Sequence, residues 1–324
     1  MFILGAGASK PYGYPTGKEL RKFIYSVFKS QFSDYYSYDK RDYPSQDTFV
    51  KLHSHKIEHF AEVFYKSSTQ SIDLFLSRNP QFAEFGKMGI IAGIVDAERK
   101  SKFREEMENE KQDWYTYLYT RMTSSLITKE SYPEFAKNKV NFITFNYDRS
   151  LEYFIYESFT NSFRESQVDG RIRTSKEKGL EFNQLIPFSF LHVYGKIAPF
   201  FWESDIPLEY GFEDKILPDQ LTENIKVIHE RNDDAIKVEI KKLINWAHRI
   251  YFLGFAYADE NMEILDIPQS ILKRHHVFGT AMGSTERERK EIMKIFREKG
   301  RHDYIPGLLE IVDMDCVALL REYL

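Results

Sequence analysis

The stretch MFILGAGAS, residues 1–9, decides the fold. Its first four residues are an unbroken apolar run, which Gly5 and Gly7 then interrupt. A short apolar run ended by glycine reads as a strand buried on both faces, because a half-exposed strand would alternate apolar with polar. Downstream, Leu20, Phe23, Ile24, Val27 and Phe28 recur at the spacing of a helix with one buried face. Strand, glycine turn and helix together make the opening unit of a parallel α/β sheet.

The same alternation resumes at residue 140. Residues 140–145 are β-like, and Asp148 is placed to cap a helix that carries Leu151, Phe154, Ile155 and Ser158 on one face. Residues 185–193 are a second apolar, aromatic run. Ile236, Ile240, Leu243, Ile244 and Ala247 mark a helix, followed by strands at 249–254 and 276–280. Thr285 with Glu288 forms a capping box that opens a helix holding Ile292, Ile295 and Phe296. Residues 308–312 and 316–323 supply a last strand and helix. The polar stretches 164–181 and 203–215 read as loops. Residues 31–139 differ: apolar residues recur at helical spacing without a strand pattern, and the charged stretch 101–113 reads as a solvated helix face. The expectation is one domain over residues 1–324. Its Rossmann-like α/β core, residues 1–30 and 140–324, is a mostly parallel sheet with helices on both faces. A helical insertion subdomain occupies 31–139.

Composition narrows the function classes. Hydrophobic residues make up 42% and charged residues 29% of the 324, with no apolar run long enough for a membrane helix and no secretory pattern at the start. A single cysteine, Cys316, excludes an internal disulfide, and a cytoplasmic location is the default expectation. Net charge is −4 with acids and bases interspersed, which gives no basic stripe for direct nucleic-acid binding. The 27 Phe and 21 Tyr are read mainly as core.

Four predicted strand ends carry residues that packing alone does not demand, and ligands of such sheets bind beyond the carboxyl ends of the strands. The first is Gly5, Ala6, Gly7, Ala8 and Ser9, with Pro15 and Thr16 beyond; glycines admit close approach to a phosphate, or merely make a tight turn. Lys10 stands where a third dinucleotide-binding glycine would be. The second is Thr144-Phe145-Asn146-Tyr147-Asp148, in which Asn146, donor and acceptor at once, has no evident structural duty. The third holds His192, either a core histidine or a general base. The fourth runs from Gly254 and Phe255 to Asp259 and Asn261, where Asp259 is a helix cap or a ligand contact. His55 and His59 with Glu58 match an inverted zinc-protease pattern but lack an identifiable third ligand, so no metal is proposed.

In order along the chain, GAGAS, YPTG, SIDLFL (71–76), TFNYD, LHVYG and LGFAYADEN resemble the sirtuin superfamily, most of all its bacterial sirtuin-like branch from anti-phage defence systems. The resemblance implies that NAD is the substrate, with its adenosine and pyrophosphate over Gly5, Ala6, Gly7, Ala8 and Ser9. It implies ribose-side roles for Asn146 and Asp148 and a catalytic role for His192. Asp73 lies in a motif of the same branch, without an evident chemical role. Deacetylating sirtuins carry a zinc ribbon held by four cysteines, which one cysteine cannot build. NAD hydrolysis is therefore the leading expectation, ahead of protein deacylation or ADP-ribosyl transfer and of a non-catalytic nucleotide-sensing subunit. The resemblance further implies a homo-oligomer and an activating partner, such as a HerA-type ATPase or a short Argonaute protein.

Overall fold

The computed structural model describes residues 1–30, 44–69, 71–101, 112–163, 167–168, 171–172, 186, 188–211, 221–227, 233–267, 271, 274–297 and 308–324. Six parallel strands form the sheet: β1 (Phe2–Leu4), β2 (Phe142–Thr144), β3 (Phe190–His192), β4 (Arg249–Leu253), β5 (His276–Thr280) and β6 (Leu309–Val312). Their spatial order is β3-β2-β1-β4-β5-β6. The chain moves outward from β1 in one direction, then returns to the other side of β1 and moves outward again. Right-handed crossovers therefore place the two sets of helices on opposite faces, and the order reverses between β1 and β4. The sheet is fully parallel, one step beyond the mostly parallel expectation.

Register explains much of the aromatic content. Phe2 pairs with Phe142 and with Tyr251, Phe142 pairs with Phe190, and Tyr251 pairs with Phe278. These five rings form one stacked row across five strands, with centroids 4.5–5.5 Å apart. Phe142 sits inside this row with no solvent exposure. Phe142→Ala is expected to lower stability by about 3–5 kcal/mol, read as the shift of a urea midpoint. A shift below about 1 kcal/mol would mean that the row does not anchor the sheet.

Two helical turns precede the first long helix: α1 (Ala6–Ser9) and a 3₁₀ turn at Lys10–Tyr12, then α2 (Gly17–Ser30). On α2, Leu20, Ile24, Val27 and Phe28 are buried, the face read from the sequence. Next come α3 (Pro44–Lys66), α4 (Ile72–Arg78), α5 (Ala83–Arg99) and α6 (Trp114–Thr123). In the order of the chain, α7 (Ser150–Phe163), α8 (Asp233–Trp246), α9 (Asp259–Ile264), α10 (Glu286–Arg297) and α11 (Cys316–Tyr323) complete the helices. Helices α3 and α5 pack on α2, whereas α6 packs on α7 and α11, and one continuous apolar core joins them to the sheet. The capping box forms as expected: Thr285 N donates to Glu288 Oε2 at 2.7 Å and Glu288 N to Thr285 Oγ1 at 3.3 Å.

Two readings need correction. The polar stretch after α7 is not all loop, since Gln167–Val168 and Arg171–Ile172 pair as a small antiparallel ribbon. The aromatic run before residue 193 contributes only three strand residues, Phe190–His192. Most of the charged stretch at 101–113 lies outside the described residues. Among the described residues, no helix is long and apolar enough to cross a membrane.

Candidate functional site

The four strand ends singled out in the sequence are neighbours at one edge of the sheet. Strands β3, β2, β1 and β4 lie side by side, with His192 level with Thr144, Thr144 with Leu4, and Leu4 with Leu253. The residues just beyond them therefore meet where the strand order reverses, the position at which such sheets hold their ligands.

The glycines serve this junction first. Gly5 N donates to Leu253 O and Gly7 N to Gly254 O, both at 3.0 Å. A Cβ on Gly5 would come within 2.6 Å of Gly254 O, and one on Gly7 within 2.9 Å of Gly254 Cα. Gly254 has φ +56°, and a side chain there would overlap the backbone of Gly7 and Ala8. Close packing of two backbones thus accounts for all three glycines, and the amides of Gly5, Gly7 and Ala8 already donate to Leu253, Gly254 and Gly5. Helix α6 holds the turn from outside: Trp114 Nε1 donates to Ala8 O at 2.7 Å, and Tyr12 Oη donates to Asp113 Oδ1 at 2.9 Å.

The expected site residues divide between two spaces. Ala6, Gly7, Thr16, Gly254 and Phe255 line a cleft of about 780 Å³ that extends over the ends of β5 and β6. Ser9, Asn146, Asp148 and His192 instead enclose a cavity of about 10 Å³, room for roughly one water. Gly5 and Ala8 are buried between strand and turn. Pro15 lines neither space; Thr16 lines the cleft but also starts α2, its N and Oγ1 donating to Glu19 Oε2 at 2.8 and 2.7 Å. Asn261 Oδ1 accepts from Tyr194 Oη at 2.8 Å. Asp259 is not the cap of α9: that position is Ala258, and Asp259 lies inside the first turn.

Asn146 does have a structural duty, contrary to the sequence reading. Its Nδ2 donates to Gly5 O and to Ser9 Oγ, each at 3.1 Å, fastening the β2 end to the glycine turn. Its Oδ1 receives no hydrogen bond from a described residue. Asp148 Oδ1 accepts from Ser150 N at 3.1 Å and from the Ser150 hydroxyl, so it caps the start of α7 from one residue outside the flanking position, which is held by Arg149. Burial raises the Asp148 carboxyl above its ordinary range, and the hydrogen bonds from Ser150 and Ser9 and the nearness of His192 reverse this only in part. The neighbouring Tyr147 hydroxyl donates to Asp73, which gives the SIDLFL motif a role: it pins the TFNYD turn from the helical region.

Both ring nitrogens of His192 face acceptors. Nε2 lies 3.0 Å from Glu152 Oε2 and Nδ1 lies 3.2 Å from the Asn146 carbonyl oxygen. A carbonyl and a carboxylate can only accept, so each contact is a hydrogen bond only while the ring nitrogen facing it carries a proton. Glu152 also takes Lys196 Nζ at 2.9 Å, and Lys196 reaches Glu203 Oε1 at 2.7 Å. Glu152 and Lys196 escaped the sequence reading. The only signals were a carboxylate one helical turn after Asp148 and a lysine directly after LHVYG. Arg149, also unnoticed, is fully buried, with Nε 2.8 Å from Glu98 Oε1 and Nη1 2.7 Å from Leu208 O.

Burial alone would raise the Glu152 carboxyl, but the Lys196 ammonium and His192 outweigh it and hold it at about 2. A carboxyl depressed in the folded state contributes stability that is complete above its unfolded pKa and is lost as pH falls through the folded value. The stability gap between wild type and Glu152→Gln is therefore expected to narrow as pH drops from about 5 to about 2. Thermal melts across that range measure it, and a gap that stays constant would refute the charged cluster.

No protein-family model and no curated protein sequence matches the chain.

Proposed function

We propose that the protein cleaves the nicotinamide–ribose bond of NAD, releasing nicotinamide and ADP-ribose, as a sirtuin-like NAD hydrolase. One observation supports this reading above the others. Asn146, Asp148, His192 and Ser9 come from three adjacent strand ends yet enclose one cavity. The open cleft beyond Gly7 and Gly254 is of a size for the adenosine and pyrophosphate of a dinucleotide.

Departure of nicotinamide leaves a positive ribose resembling the transition state of glycoside hydrolysis. Asn146 Oδ1 holds the attacking water or a ribose hydroxyl, and the buried Asp148 carboxylate offsets the developing charge. His192 takes a proton at Nδ1 after its contact with the Asn146 carbonyl gives way, while Glu152 keeps Nε2 in place. A cavity of about 10 Å³ cannot admit a ribose, so its walls must separate when substrate enters. The activity belongs to an NAD-depleting defence effector that assembles as a homo-oligomer and is switched on by a partner.

The test is incubation of purified protein with NAD, with and without an acetyl-lysine peptide, and chromatographic identification of products. ADP-ribose with nicotinamide is the expected outcome, and Asn146→Ala is expected to abolish it. Asn146→Ala also removes the hydrogen bonds from Nδ2 to Gly5 O and Ser9 Oγ, at about 1–3 kcal/mol, so turnover is compared per folded molecule. An acetylated ADP-ribose would identify a deacylase instead. NAD binding without turnover would identify a nucleotide sensor, and neither binding nor turnover would sink the whole reading.

A further inference from the structure

The opposite edge of the sheet carries a second cleft, of about 720 Å³, where β1, β2 and β4 begin and α6 and α8 end. Its charged side chains are all basic. Arg121, Lys139 and Arg249 line it with His248 beside them, and no aspartate or glutamate lines it among the described residues. Some surface lysines elsewhere pair with acids on their own helices, as Lys66 does with Glu62 and Lys290 with Glu286. Arg121 and Lys139 form no such pair with any described residue. The C-terminal ends of α6 and α8 contribute about half a negative charge each and the Leu324 α-carboxylate one more, which together offset about two of the three cations.

The cleft also carries an aromatic wall. Trp246 is 45% exposed there, whereas Trp114 and Trp202 are buried. Asn138 lines it too, with Nδ2 donating to Met122 O at 3.1 Å and Phe135 O at 2.9 Å, so of its side-chain atoms Oδ1 is the one left to meet a ligand. Cations without a paired acidic side chain call for an anionic ligand, and an exposed indole calls for a planar ring to stack on it. The volume lies within the range of small-molecule sites.

We infer that this cleft is a binding site for a nucleoside diphosphate. The phosphates lie on Arg121, Lys139 and Arg249, and the base stacks on Trp246 with an amino group toward Asn138. The site is separate from the proposed NAD cleft, at the other end of the strands, and does not depend on that reading.

ADP is the probe, titrated by calorimetry with Trp246 emission followed in parallel. Wild type is expected to bind ADP with a change in emission. The double variant Arg121→Glu, Lys139→Glu is expected to weaken ADP binding by about tenfold or more while keeping its melting temperature, since both side chains are exposed. Inorganic pyrophosphate is expected to bind more weakly than ADP, and Trp246→Ala is expected to remove that difference. ADP affinity unchanged by the charge reversal would place the nucleotide in the other cleft and overturn the inference. So would absence of ADP binding at millimolar concentration, including the case in which poly-glutamate binds and points to an acidic protein partner.

Discussion

Gly254→Ala is expected to lower stability by more than about 4 kcal/mol, or to leave no soluble folded protein, because the new methyl group has nowhere to go. Its backbone stands at φ +56°, in the left-handed region, and the Cβ would overlap the main chain of Gly7 and Ala8 rather than a flexible side chain. Relief would require the β1 turn to separate from the end of β4, which breaks the Gly7 N to Gly254 O bond and the junction at which Asn146 docks. Gly283→Ala is the matching control. Gly283 has φ +78° but no atom within 4 Å of a built Cβ, so only backbone strain applies, about 1 kcal/mol. Soluble yield and thermal melting of the pair decide the matter. Equal melting temperatures would show that the two backbones are not in contact.

His192→Ala is expected to reduce NAD turnover per folded molecule by about 10²–10⁴-fold, the usual contribution of a positioned acid–base group. It is also expected to cost some stability, on the order of 1–3 kcal/mol, because Glu152 and the Asn146 carbonyl each lose a buried partner. Turnover, NAD affinity and melting temperature are therefore measured on one preparation. NAD affinity is expected to survive, since the cleft residues do not include His192. A variant that melts early yet turns over normally per folded molecule would make His192 a structural residue and leave Asn146 to carry the chemistry.

The alternation of short apolar runs with amphipathic helices was enough to determine the parallel α/β class. Strands buried on both faces must be apolar throughout, and helices buried on one face must repeat at helical spacing, so residues 2–4, 142–144, 249–253 and 276–280 declare themselves locally. Local chemistry likewise announced the Thr285–Glu288 capping box and the Asp148 cap. Strand order is another matter, because the same strand patterns suit more than one arrangement. Only the folded chain brings Asn146, Asp148 and His192 around one cavity and leaves Gly7 and Gly254 on another. The partners of those residues are equally non-local. Asn146 fastens to a turn 141 residues earlier in the chain, and Tyr147 to Asp73 in the helical region. Glu152 holds His192 from a helix and is itself held by Lys196 from a loop, and neither residue stands out in the sequence. A side chain's type states what it can bond to. Which group it reaches, and whether that leaves an atom free for substrate, is set by packing among segments far apart in sequence.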